Sequence, residues 1–186
     1  MNIVLNLCNK YSCFKLHADT VKRTSMTLFN LLKDLHGLKR AELELLYHAA
    51  LLHDIGQYIS VKKHHKHSSY LILNDEDFYD YPQNEKKLLA ELVKGHRKTV
   101  RLSESDFSSN EYLMLKKLIA ILRIADSLDY LHHGKVEVTK IQRDNKTCTF
   151  YVKNAGLELI NEKVKKKAAY FEEVFNLKTN FISVWG

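Results

Sequence analysis

Long apolar runs are missing from this sequence of 186 residues. None approaches the ~20 apolar residues that a bilayer-spanning helix needs, which predicts a chain without a membrane span, soluble and cytoplasmic. Cysteine is scarce. Cys8, Cys13 and Cys148 are the only three, and they show neither metal-ligand nor disulfide spacing, which points to a reducing compartment. Leu5-Asn6-Leu7-Cys8 has the outline of a lipid-attachment box, but no basic or usefully long apolar segment precedes it, so it is rejected. Proline occurs once, as Pro82. Internal repeats and low-complexity linkers are absent as well, and the length suits one domain with room for a small appendage.

What is present begins with charge. Lys plus Arg outnumber Asp plus Glu by 29 to 22, a net +7 that favours polyanions such as nucleotides or polyphosphate. Nucleic acid has only that charge in its favour and no reading motif, so it is not an expected partner. Apolar periodicity predicts helices over about 16–36, 40–54, 65–73, 84–96 and 110–131, with a short apolar helix within 2–14. Gly37 closes the first long helix, and Ser108 or Ser109 caps the last. Beyond Gly134 the character changes. Residues 136–141 and 147–152 are β-branched and aromatic, 157–175 is helically periodic, and 181–185 alternates. The expected fold is therefore mainly α: a helical domain over 1–134 and a small strand–strand–helix–strand unit over 135–186. The cluster Lys163 with Lys165 to Lys167 reads as a solvated helix face.

One stretch organises the rest, Ala49-Ala50-Leu51-Leu52-His53-Asp54-Ile55-Gly56. His53 follows Leu46, Ala49 and Ala50 on the apolar face, where an unpaired ring costs about 1–3 kcal/mol. A single histidine there would be explained by a bond to a carbonyl. The pattern recurs, however: Asp126 continues the stripe of Ile119 and Leu122, His96 follows Leu92 and Val93, and His17 lies four before Val21. Imidazoles and carboxylates on the inner side of four helices are accounted for economically by a metal ion.

The placement of His17, His53-Asp54 and Asp126 resembles the HD-domain metal-dependent phosphohydrolase superfamily, whose fold is helical. Over residues 9–134 the likeness narrows. Ala49 to Gly56, Ile59-Ser60, His64 to Ile72, Gly95-His96-Arg97-Lys98 and Leu122 to Asp129 resemble, in order, the C-terminal region of exopolyphosphatases and guanosine pentaphosphate phosphohydrolases. In full-length members the polyphosphate-cleaving site belongs to an N-terminal actin-like region. This sequence has no Gly-rich phosphate loop of that kind.

The resemblance implies a divalent ion (Mn, Fe, Zn, Ni or Mg) held by His17, His53, Asp54 and Asp126. It implies His65 and His96 as ligands of a second ion, with Asp54 bridging, and His53 and Asp54 at the centre of catalysis. Lys66, Arg97, Lys98 and Arg123 are the expected phosphate-binding cations. His64 and His67 are expected at the surface or behind the ligands, and His132 and His133 as helix-end groups. Two functions follow. One is a metal-dependent phosphohydrolase of a nucleotide, polyphosphate or other phosphorylated small molecule. The other is a non-catalytic module that binds polyphosphate or a nucleotide, or docks with a separately encoded catalytic partner.

Overall fold

The computed structural model describes residues 3–13 and 15–184, side chains 158–160 excepted. Eight α-helices and a three-stranded sheet make up the described residues, a mainly α fold with a small C-terminal strand unit. The helices are α1 (Ile3–Lys10), α2 (Lys15–Leu31), α3 (Lys33–His36), α4 (Arg40–Leu52), α5 (His64–Asn74), α6 (Gln83–Lys94), α7 (Ser109–Leu128) and α8 (Leu157–Phe175). The strands are β1 (Glu137–Arg143), β2 (Thr147–Lys153) and β3 (Lys178–Ser183). Among the described residues, no helix is long and apolar enough to cross a membrane.

Helix α7 is the axis of the helical body. From Leu118 to Ala125 every residue is buried, as expected of a helix packed on all sides. Helices α2, α4, α6 and α8 all touch it. Its start is fixed by Ser108, whose hydroxyl accepts from the Glu111 N–H while the Glu111 carboxylate accepts from the Ser108 N–H. Fully buried Ala49 and Ala50 let the end of α4 lie close to its neighbours.

The expected helix over 16–36 breaks at Leu32, between α2 and α3. His36 explains the tight turn: its Nε2–H donates to the Phe29 carbonyl (2.7 Å), and its Nδ1 accepts from the Leu38 N–H (2.9 Å). Gly37, at φ 66°, then ends α3 in the left-handed conformation. The reading of the cysteines needs correction, because Cys8 and Cys13, five residues apart at the end of α1, are joined as a disulfide. Cys148 is a free thiol buried under the sheet.

In the sheet β2 is central, antiparallel to β1 and parallel to β3, with α8 as the crossover between the parallel pair. Cys148, Phe150 and Val152 of β2 face α8, where Val164, Ala168 and Phe171 receive them. The last strand begins at Lys178, earlier than alternation predicts, because Thr147 of β2 supplies its partner. Residue 185, the end of the expected strand, lies outside the described residues. Helix α8 packs along α7, which brings the C-terminal unit against the buried axis.

Candidate metal centre

Helix α4 ends at Leu52, and the next two residues turn inward. His53 closes the helix by donating Nδ1–H to the Ala50 carbonyl at 2.9 Å, which satisfies one of the carbonyls that a helix end leaves open. Gly56 follows in a 3-10 turn laid against α5. A Cβ there would lie 2.3 Å from both the His64 oxygen and the Ser68 nitrogen, so only glycine fits. The Ser68 hydroxyl joins the two segments, accepting from Gly56 N–H (2.8 Å) and donating to the His53 carbonyl (2.7 Å).

Three more histidines repeat the geometry of His53. His64 pairs its Nδ1 with the Val61 carbonyl (3.0 Å), and His96 pairs its Nδ1 with the Val93 carbonyl (2.6 Å). His17 pairs its Nδ1 with the Asp129 carboxylate (2.8 Å). Carbonyls and carboxylates only accept, so each Nδ1 carries a proton, and Nε2 is the ring atom turned to the interior. These Nε2 atoms meet in the interior: His17 and His53 at 3.3 Å, His64 and His96 at 3.2 Å. Two bare lone pairs so close would repel, and either a ring proton or a metal ion between them removes the repulsion.

Two carboxylates complete the arrangement. Asp126 Oδ1 stands 3.5 Å from His17 Nε2 and 3.9 Å from His53 Nε2. Asp54 Oδ1 stands 3.0 Å from His64 Nε2 and 3.6 Å from His96 Nε2, while its Oδ2 is 3.6 Å from His53 Nε2. The donors thus fall into two triads, His17–His53–Asp126 and Asp54–His64–His96, each with its ligand atoms within 4.8 Å of one another. The two oxygens of Asp54 point one to each. Neutral imidazole and carboxylate donors fit Mn, Fe, Zn, Ni or Mg.

Electrostatics agree with that donor set. Burial pushes His53 below its ordinary value and His96 well below, so both rings are held neutral. Burial opposes the charge of His17 too, but its bonds to Asp126 and Asp129 outweigh this and raise it to about 9. Burial would raise Asp126, yet Lys167 and His17 hold it well below the usual carboxylate range. Asp54 is likewise held down against burial, by His53 and His64.

Several residues stand elsewhere than expected. His65 lies outside both triads, its ring 6.2 Å from those of His64 and His96, and His64, expected at the surface or behind the ligands, takes the place beside Asp54. His67 is half-buried. Lys66, Arg97 and Lys98 are exposed at the rim, Arg97 Nη1 lying 3.3 Å from both ring nitrogens of His64. Arg123 is buried, and its Nη1 donates to the carbonyls of Gly95 and Lys98, both at 2.9 Å. It fixes the turn that carries His96. His133 is exposed, and His132 stacks on His17 at 3.9 Å.

Two functional residues escape a sequence reading, Asp129 and Lys167. Asp129 follows Asp126 by three, on the same helical face, and also accepts from the Gly134 N–H (3.0 Å). The Lys167 ammonium donates to Asp126 and to the His96 carbonyl (2.7 Å), contrary to the solvated face expected of its cluster. Its position between Val164 and Phe171, on the buried stripe of α8, is the signal that marks it.

Comparison with known proteins places these features in context. The family described as Ppx/GppA phosphatase, domain III, matches residues 1–173. Similar proteins include the guanosine-5'-triphosphate,3'-diphosphate pyrophosphatases of Pseudoalteromonas translucida, 34% identical over 94 residues, and Aeromonas hydrophila, 38% identical over 98. The shared segments cover 50% and 52% of this chain but 18% and 20% of those relatives, so the likeness spans about a fifth of their length.

Proposed function

Because the chain belongs to the Ppx/GppA phosphatase domain III family, we propose that it is a metal-dependent phosphohydrolase of the HD-domain type, acting on a nucleotide, polyphosphate or other phosphorylated small molecule. The carrying observation is the two pairs of Nε2 atoms that face each other at 3.2–3.3 Å, with every Nδ1 already committed outward. Such an arrangement suits a metal ion, which would take the place of the proton that His17 otherwise holds. His17, His53 and Asp126 would hold one divalent ion, His64 and His96 a second, and Asp54 would serve both. Divalent ions there would supply Lewis-acid polarisation of a phosphoryl group and a water acidic enough to attack it. Asp129 and the three carbonyls hold the imidazoles in the ligating tautomer. Lys66, Arg97 and Lys98 at the rim would bind the remaining phosphate oxygens, while Arg123 keeps the His96 turn in place. Residues 1–134 and 135–186 are read as two units, the second contributing Lys167 to the centre, and a cytoplasmic location belongs to the same reading.

The activity for which these relatives are named, a pyrophosphatase of a guanosine nucleotide, supports a phosphorylated nucleotide among the substrates. Because the shared segment is about a fifth of those proteins, a second reading stands beside the first: a binding module for polyphosphate or a nucleotide, working with a separately encoded catalytic partner. A phosphatase screen of metal-loaded protein separates the two, covering nucleotides, dinucleoside polyphosphates, guanosine tetraphosphate and polyphosphate. Turnover that disappears in Asp54→Ala supports the enzyme. Binding without turnover, on any metal, leaves the module.

A further inference from the structure

The disulfide Cys8–Cys13 at the end of α1 is joined to both chain segments that bring His17 and His53 together. The Cys8 sulfur stands 3.9 Å from the Leu51 carbonyl oxygen, in the last turn of α4 and two residues ahead of His53. Cys13 lies two residues ahead of α2 and four ahead of His17. One covalent bond thus ties the approach to one imidazole of the first triad to the approach to the other.

Two features keep its influence local. The sulfurs are five residues apart in sequence, and so short a loop constrains the unfolded chain less than a long-range bridge would. Helix α1 is also seated without it. Val4 and Leu7 are fully buried, Lys10 pairs with Asp75 at 3.0 Å and with Asp77 at 2.7 Å, and the Tyr11 hydroxyl donates to Asp75. What the bridge does fix is the turn between α1 and α2. There the Cys13 N–H donates to the Cys8 carbonyl at 3.0 Å, and Ser12 is kept at φ 49°, a conformation that serine seldom adopts unaided. In the cytoplasmic location read above, a disulfide is reduced unless it answers to redox state.

We propose that Cys8–Cys13 is a redox switch on the His17–His53–Asp126 triad. Bridged, it holds the start of α2 and the end of α4 in the register that lets His17 and His53 share an ion. Opened, it lets the start of α2 loosen, and that ion is held more weakly. The regulation rests on the metal-dependent reading of the triad. The reductant is a dithiol. One of its thiolates attacks the sulfur of Cys13, the more exposed residue of the pair (8% against 5%), and forms a mixed disulfide. Cys8 leaves as a thiolate and takes up a proton. The second thiol of the reductant then displaces Cys13, so two electrons and two protons pass to the pair and the reductant departs as its own disulfide. The Cys8 thiol so formed can donate to the Leu51 carbonyl that it already faces, one of those that a helix end leaves without a partner within the helix.

Titration with Mn2+ tests this, comparing air-oxidised protein with protein treated with dithiothreitol and then freed of it without oxygen. The thiol count in denaturant should rise from one, Cys148, to all three cysteines. One Mn2+ event should weaken roughly tenfold or more on reduction and recover on reoxidation, the loss expected when the support of a ligand is disturbed. The event of the Asp54–His64–His96 triad should not change. In metal-free protein, amide exchange at residues 15–18 should quicken on reduction while the helical circular dichroism stays constant. Cys13→Ser should behave as the reduced protein and ignore the reductant. A thiol count that stays at one, unaltered exchange at 15–18, or loss of the whole helical signal on reduction would each overturn the proposal. Equal Mn2+ affinity in the two states would remove the switch and leave the metal-dependent reading; no Mn2+ binding in either state would sink that reading and the switch with it.

Discussion

Lys167 of α8 donates to Asp126 of α7, so the helix that joins β2 to β3 supplies the charge nearest one of the two carboxylates. The contact also reaches the His96 carbonyl, which places one ammonium between the two triads.

Lys167→Met therefore removes the partner of a largely buried carboxylate. In metal-free protein the loss should be about 3 kcal/mol, and it should shrink when an ion takes over the charge of Asp126. Urea midpoints with and without chelator measure both. An equal loss in the two states would show that Lys167 acts through packing alone.

Asp129→Asn should leave the fold intact and weaken metal binding about 10- to 100-fold, because His17 is no longer held with its proton on Nδ1. Competition of the purified protein with a fluorescent chelator reads this directly.

His64→Ala and His65→Ala should differ. The first should remove one ion of a pair, since His64 Nε2 stands 3.0 Å from Asp54. The second should leave metal content unchanged. Elemental analysis decides, and the opposite pattern would restore His65 as the ligand.

Acidity enters through His17. Its folded pKa is raised from 6.5 to about 9, so its ion pair stabilises the metal-free protein fully below 6.5 and loses that contribution as pH climbs through about 9. Metal binding near pH 7.5 must displace the proton from Nε2. About one proton should be released there, falling towards zero above the folded pKa. Calorimetry in buffers of different ionisation enthalpy counts it.

Gly56→Ala should cost about 3 kcal/mol or more, because the new methyl overlaps the α5 backbone at 2.3 Å. Thermal denaturation and metal content should fall together.

The helices and the strand–strand–helix–strand tail could be read from periodicity and turn residues, and α8 was predicted at Leu157 and Phe175, its observed ends. The break at Leu32 could not, since the apolar stripe runs through it and the cause is a side chain, His36, folding back on Phe29. The choice between His64 and His65 depends on where α5 begins. Periodicity places a helix start only to within a few residues, and a shift of one residue turns a side chain by about 100°. Lys167 was hidden by its neighbours, three other lysines on the same helix. Arg123 was misread because a cation near a phosphate site and a cation holding carbonyls have the same sequence signature.

Ser68 gives the centre a property that its ligands alone would not. One hydroxyl ties the main chain at His53 and Gly56 to α5, so the helix carrying His64 and the turn carrying His53 and Asp54 move as one body. The backbone spacing between these two segments is then fixed, whatever rotamers their side chains take. A ligand too large or too small for that spacing must be accommodated at the rim, where Lys66, Arg97 and Lys98 stand on long, adaptable stems. On the proposed phosphohydrolase reading, a fixed backbone spacing and pliable charge at the lip would let one centre accept phosphates on different leaving groups.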